Sequence, residues 1–155
     1  MKITKGFTLI EVLVSTFVLS VGLLGLAALQ VTGLRNNLSA YTRSQSTQLA
    51  YDISDKMRAN IIEAQNFAGS IYVTIAPEDA TEKANCKAIV GNCTPADMAE
   101  HDLWEWNTEL MNLLPSGSGT ITVAPPTYKV AITWDDNRDD VVNGDDPNFE
   151  MSFQL

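Results

Sequence analysis

Phe7-Thr8-Leu9-Ile10-Glu11-Val12-Leu13-Val14-Ser15-Thr16-Phe17-Val18-Leu19-Ser20-Val21-Gly22-Leu23-Leu24-Gly25-Leu26-Ala27-Ala28-Leu29-Gln30-Val31-Thr32-Gly33-Leu34 is a run of 28 residues with one ionisable side chain, Glu11. A helix needs roughly 20 apolar residues to cross about 30 Å of hydrocarbon, and this run exceeds that length. A secretory signal peptide also begins with positive charge, but its apolar region is only about 7 to 15 residues long and ends at a small-residue cleavage site. Burial inside the protein is the other alternative. A chain of 155 residues offers no core that could enclose such a cylinder on every side.

Lys2 and Lys5 precede the run, and the acid-rich remainder follows it. The positive-inside rule therefore places the N-terminus in the cytoplasm and the remainder outside. Glu11 does not fit a plain anchor. A charged carboxylate costs on the order of 2.5 to 3.5 kcal/mol near a bilayer centre and less near the interface, so an ionisable residue in a span is a functional candidate. Two readings stand: Glu11 reaches the headgroups or takes up a proton, or it meets a cationic partner.

Whole-chain composition narrows the function classes. Hydrophobic residues make up 45 % and charged residues 19 %, which suits one folded domain behind the apolar run. The formal charge of −9 weighs against binding a phosphate backbone, so no nucleic-acid partner is expected.

The segment Lys5-Gly6-Phe7-Thr8-Leu9-Ile10-Glu11-Val12 resembles the leader junction of type IV pilins and of the related pseudopilins of type II secretion. The resemblance implies that residues 1–6 are a leader and that a prepilin peptidase cuts between Gly6 and Phe7. It further implies N-methylation of the new amine of Phe7. Residues 7–34 are then the membrane and assembly half of a long helix, and residues 35–155 an extracytoplasmic domain that includes the helix's amphipathic half. For Glu11 the resemblance implies pairing with the N-terminal amine of a neighbouring subunit, which low dielectric strengthens.

Beyond Arg35, Leu38, Tyr41, Gln45, Leu49, Ile53, Met57 and Ile61 recur at steps of three or four. That period predicts continuation of the same helix to about Ala64, with Asn66 and Gly69 as terminators. Arg43, Gln48, Asp52, Asp55 and Arg58 are assigned to the solvated side. Gly22 and Gly25 weaken a helix, and with Ala28 they form a small-residue pattern suited to close helix contact.

Ile71 to Ile75 reads as a short β-branched strand ended by Pro77, and Glu78 to Asn85 as a polar loop. Cys86 and Cys93 are the only cysteines. An extracytoplasmic location favours a disulfide between them, contributing about 2 to 3 kcal/mol for so small a loop. With one histidine in the chain, His101, a zinc set is incomplete. Thr94-Pro95-Ala96-Asp97 predicts a helix start, and Met98, Leu103, Trp106, Leu110 and Leu114 predict its apolar stripe, with Pro115 as the stop. Trp104 and Trp106 cannot both face one core. His101 is expected at the surface or its boundary.

After the turn Ser116-Gly117-Ser118-Gly119, three segments alternate as strands: Ile121 and Val123; Tyr128, Val130, Ile132 and Trp134; Phe149, Met151, Phe153 and Leu155. Short connections predict an antiparallel sheet packed on the amphipathic half of the long helix. The fold class is therefore α+β, with a long N-terminal helix, a small antiparallel sheet and a second, shorter helix. From the acidic stretch Asp135 to Asp146 into the last strand, Asp139, Asn143, Gly144 and Glu150 match positions one, five, six and twelve of a calcium-binding loop, but Val141 at position three supplies no oxygen side chain. A solvated loop is the expectation, with no cofactor. No nucleophile with its base, complete metal set or phosphate-binding glycine loop marks an enzyme.

The segment Cys93-Thr94-Pro95-Ala96-Asp97-Met98-Ala99-Glu100-His101-Asp102-Leu103-Trp104-Glu105-Trp106, with Leu114-Pro115 after it and Gly22-Leu23-Leu24-Gly25-Leu26-Ala27-Ala28-Leu29-Gln30 before it, resembles the PilV family of type IV pilus modification proteins. These are minor pilins, and the mid-chain position of Cys86 and Cys93 agrees with that class. The resemblance implies a non-catalytic subunit of the bacterial inner membrane and the extracellular pilus, supporting motility and adhesion. Its implied partners are other minor pilins, the major pilin, the prepilin peptidase, the inner-membrane assembly platform and a tip adhesin. A minor pseudopilin of type II secretion is the alternative within the architecture. A pilus-displayed module binding DNA or a surface ligand is the alternative outside it.

Overall fold

The structure is a computed structural model that describes residues 6, 8–87 and 92–155. Its helices are α1 (Leu9–Ala59), α2 (Ile61–Ala64), α3 (Ile71–Thr74), α4 (Ala84–Lys87) and α5 (Pro95–Leu113), with single 3-10 turns at Phe67–Gly69 and Pro77–Asp79. The strands β1 (Ser118–Ala124), β2 (Thr127–Thr133) and β3 (Asn148–Gln154) follow. The chain divides into two units, Met1–Ala40 and Tyr41–Leu155.

In the first unit the described residues from Leu9 onward are helical and carry their apolar side chains outward; Leu9 is 84 % and Leu34 71 % exposed. The stretch is long and apolar enough to cross a membrane. Its hydroxyls are satisfied within the helix: Ser15 Oγ donates to the Glu11 carbonyl at 2.7 Å, Ser20 Oγ to Thr16 at 2.7 Å and Thr32 Oγ1 to Ala28 at 3.1 Å. Such internal bonds lower the cost of placing a hydroxyl in hydrocarbon. Among the described residues, a Cβ added at Gly22, Gly25 or Gly33 would meet nothing within 4 Å, so none of them requires glycine there.

The second unit packs the C-terminal part of α1, α5 and the sheet around one core of Leu49, Ile53, Met57, Leu103, Trp106, Leu110, Tyr128, Val130 and Ile132. The sheet runs β1-β2-β3, antiparallel throughout. Register aligns three rows of side chains: Gly119, Ile132 and Phe149; Ile121, Val130 and Met151; Val123, Tyr128 and Phe153. The two-residue alternation predicted for each strand is therefore the one that builds the core face. Pro125 and Pro126, joined by a cis peptide bond, close the β1–β2 turn. Gly119 lies under an indole; a Cβ there would fall 2.3 Å from Trp106 Cη2. The same indole donates its Nε1 hydrogen to the Leu49 carbonyl at 2.9 Å, and the Tyr128 hydroxyl donates to the Ala64 carbonyl at 2.5 Å.

Five expectations are corrected. The long helix ends at Ala59, not near Ala64, because Asn60 leaves helical geometry (φ −101°, ψ 51°) and donates its Nδ2 to the Pro95 carbonyl at 2.7 Å. Ile71 to Ile75 is not a strand. Ser70 Oγ accepts from Tyr72 N at 3.3 Å and Glu63 Oε1 from Ile71 N at 2.7 Å, so local side chains capture the amides and wind one helical turn. The buried seam of α1 is Thr42, Ser46, Leu49, Ala50, Ile53, Ser54 and Met57, whereas Tyr41 faces out at 54 % exposure. His101 is buried, accepting from Lys83 N at Nδ1 (3.2 Å) and stacking on Trp104 at 5.6 Å between centroids. The Glu78 to Asn85 loop is also shorter than expected, because a 3-10 turn and α4 claim its ends.

Candidate functional site

The first candidate site is the start of α1. Thr8 precedes the helix and accepts the Glu11 amide on its Oγ1 at 3.4 Å and on its carbonyl at 3.1 Å. Thr8-x-x-Glu11 therefore has the spacing of a capping box, and the carboxylate stands in the first turn, where the helix dipole favours negative charge. Among the described residues no side chain pairs with the Glu11 carboxylate. Gly6 is exposed with open space around it. Phe7, with the cleavage and methylation assigned to it, lies outside the described residues. What this unit presents is thus a helix whose apolar surface needs lipid or protein around it, with a single acid near its beginning.

The second candidate region surrounds α5. The Cys86 and Cys93 sulfurs are bonded at 2.04 Å, and immediately after them α5 opens on a complete capping box. Asp97 N donates to Thr94 Oγ1 at 3.1 Å and Thr94 N to Asp97 Oδ2 at 3.4 Å. The Thr94 hydrogen bonds lower the Asp97 carboxyl from its ordinary value. Glu100 holds the preceding segment, taking the Thr81 amide at 3.2 Å and the Lys83 ammonium at 2.8 Å, and Lys83 lowers its titration.

Lys56 bridges the two long helices of this unit. Its Nζ lies 2.8 Å from Glu105 Oε2 and 3.2 Å from Asp52 Oδ2. The second contact has ion-pair distance without hydrogen-bond geometry, leaving that buried Asp52 oxygen without a donor. Burial pushes the Lys56 ammonium down, but Glu105 and Asp52 outweigh it and the net shift is upward. One helical turn further along, the Tyr72 hydroxyl donates to Asp102 Oδ2 at 2.5 Å and accepts from Asn60 Nδ2 at 3.3 Å. Burial raises both the phenol and the Asp102 carboxyl.

These shifts set an alkaline limit. Lys56 and Tyr72 both bind their protons more tightly folded than unfolded, so their contributions are complete below about pH 10 and fall away as pH rises past 10.0 for tyrosine and 10.5 for lysine. Urea midpoints are expected to drop steadily above pH 10, and in the Tyr72→Phe variant the drop is expected to be shallower. An unchanged slope would remove Tyr72 from the account. At neutral pH the same variant is expected to cost about 1 to 3 kcal/mol, because Asp102 loses its donor while remaining buried.

The acidic loop does not assemble a metal centre from the residues at calcium-loop spacing. Asp139 accepts the Val141 amide on Oδ1 at 3.0 Å and Asn143 Oδ1 accepts the Asp145 amide at 2.8 Å. Glu150 stands in β3 and pairs with Lys129 at 2.8 Å. Asp135, buried, gathers the amides of Arg138, Asp139 and Asp140 at 2.6, 3.3 and 2.9 Å. Among the described residues no group of three or more His, Cys, Asp or Glu converges on a metal position.

The Lys56 and Asp102 networks are missed by sequence reading. Asp102 could have been found, because it lies three residues after Ala99 and four before Trp106, within the stripe that the core buries. A carboxylate at such a position must have a partner.

A membrane-capable apolar helix followed along the chain by a small α+β unit with a three-stranded antiparallel sheet is the type IV pilin-like fold. Residues 28–104 match the family model described as Type IV pilin Tt1218, and residues 1–27 match the prokaryotic N-terminal methylation motif. The two matches adjoin and together cover residues 1–104, which supports a pilin or pseudopilin subunit of the type IV pilin superfamily. No curated protein and no solved structure matches it. The superfamily is one of structural subunits, and the methylation motif implies processing by a prepilin peptidase.

Proposed function

We propose that the chain is a minor pilin, held in the bacterial inner membrane with its N-terminus cytoplasmic and its α+β unit periplasmic until it joins other minor pilins to start or cap a type IV pilus. The observation that carries this reading is the mid-chain bridge between Cys86 and Cys93, set directly before the segment that resembles the PilV family. Gly6 and Phe7 are the cleavage pair and Phe7 the methylated residue. Once cut, the cationic amine of one subunit pairs with Glu11 of its neighbour, and the apolar faces left open on α1 (Leu9–Ala59) become the contact surface. The assembly platform, the major pilin and a tip adhesin are the further partners.

Two measurements test this reading. Mass spectrometry of the cellular protein is expected to find an N-terminus at methylated Phe7. Replacing Glu11 by Gln is expected to reduce recovery of the chain in the pilus fraction at least about tenfold, the effect of losing roughly 1.4 kcal/mol, while cleavage proceeds. A polypeptide still beginning at Met1, or undiminished recovery of the Gln variant, overturns it. Crosslinked secretion components in place of pilins would assign the chain to the pseudopilins, which share this leader.

A further inference from the structure

We propose that the cavity between the C-terminal end of α1 and the start of α5 binds an alkylammonium group, with Asp102 as its counter-ion. The cavity holds about 340 Å³. Ala59, Pro95 and Met98 give it apolar walls, and Asn60 and Asp102 supply polar atoms. Asp102 is only 7 % exposed. Its Oδ2 is taken by the Tyr72 hydroxyl at 2.5 Å, and among the described residues nothing donates to Oδ1. Asn60 spends its Nδ2 on Tyr72 and Pro95, and its Oδ1 likewise accepts no hydrogen bond there. Two acceptors thus border one apolar space, one of them on a buried carboxylate.

Among the described residues the buried side-chain oxygen without a partner is Asp52 Oδ2, so Asp102 Oδ1 is open to the cavity and not sealed off, and a cation bearing N–H groups can reach it with a charge-assisted hydrogen bond. Lys56 also borders the cavity but is committed elsewhere, to Glu105 at 2.8 Å and Asp52 at 3.2 Å. Asp52, Glu105 and Asp102 therefore surround one ammonium, and the local balance is negative. An anionic ligand would meet that excess. A primary ammonium on a chain of about four carbons, the stem of a lysine side chain, places methylenes on the apolar walls and its head on Asp102. Such a group can come from a lysine of a neighbouring protein or from a small free amine.

The test uses the full chain in detergent micelles, with thermal melting midpoints recorded against n-butylammonium, Nα-acetyl-lysine N-methylamide and n-butanol at matched ionic strength. Both cationic probes are expected to raise the midpoint saturably, since a ligand that binds only the folded state stabilises it, and butanol is expected to leave it unchanged. Asp102→Asn is expected to weaken binding at least about tenfold. Should that variant fail to fold, Ala59→Trp, a change at an exposed position, fills the cavity with Asp102 intact and is expected to abolish the response. Tighter binding of the lysine derivative assigns the group to a protein partner, and tighter binding of butylammonium assigns it to a free amine. Equal shifts with butanol, no shift with either cation, or a response that survives Ala59→Trp overturns the proposal.

Discussion

Trp106→Ala is expected to lower the unfolding free energy by about 3 to 5 kcal/mol, the range for removing a fully buried large aromatic. Trp106 has no exposed surface, and its loss opens a void between α5 and the sheet. It also removes the donor to the buried Leu49 carbonyl on α1, so the change acts on packing and on a polar group at once. Urea unfolding followed by far-ultraviolet circular dichroism measures it. A shift below about 1 kcal/mol would mean that the indole does not join helix and sheet as described.

Gly119→Ala is expected to cost about 1 to 3 kcal/mol by overpacking. The added methyl would lie 2.3 and 2.7 Å from the Trp106 ring and 2.8 Å from Leu110 Cδ1. Neither neighbour can swing away, because both are fully buried in the same core. The pair makes a further result: in the double variant with Trp106→Ala, the alanine methyl enters the space the indole left. The combined loss should therefore fall short of the sum of the two single losses, a coupling that independent sites do not show. Strict additivity would place the cause of the Gly119 effect in the strand backbone instead of under the ring.

Trp106 and Gly119 also show how far the sequence could be read. The position of Trp106 on a helical stripe was legible, because a 3.6-residue period needs only the identities of Leu103, Trp106 and Leu110. The role of Gly119 was not. It sits in what reads as a turn, Ser116-Gly117-Ser118-Gly119, and only the pairing of Gly119 with Ile132 shows it to be a strand residue on the core face. The capping box at Thr94 was legible for the same local reason as the helix it starts. Ile71 to Ile75 misled, since β-branched propensity spoke for a strand while Ser70 and Glu63 took the amides.

The candidate sites divide along the same line. Glu11 was visible as a lone acid in an apolar run, and the cysteine pair as the only two of its kind. Asp102, Tyr72 and Asn60 are 30 and 12 residues apart in the chain, and no spacing rule joins a position on α5 to one after α1. Long-range polar contacts of that sort depend on where α1 stops. Asn60 stops it by a side-chain bond to Pro95, which no local pattern encodes.

The seam that α1 buries in the second unit is made largely of short side chains, with Ser46, Ala50 and Ser54 at four-residue steps and none of them exposed. Where such residues line a close-packed boundary, separation is governed by main chain instead of side-chain bulk, and even one extra methylene there has nowhere to go. The room for larger or altered side chains lies instead on the exposed flank of α1, where Tyr41 and Tyr51 stand clear of the core. A lineage can exchange those residues, and the neighbours they select, without disturbing the scaffold beneath.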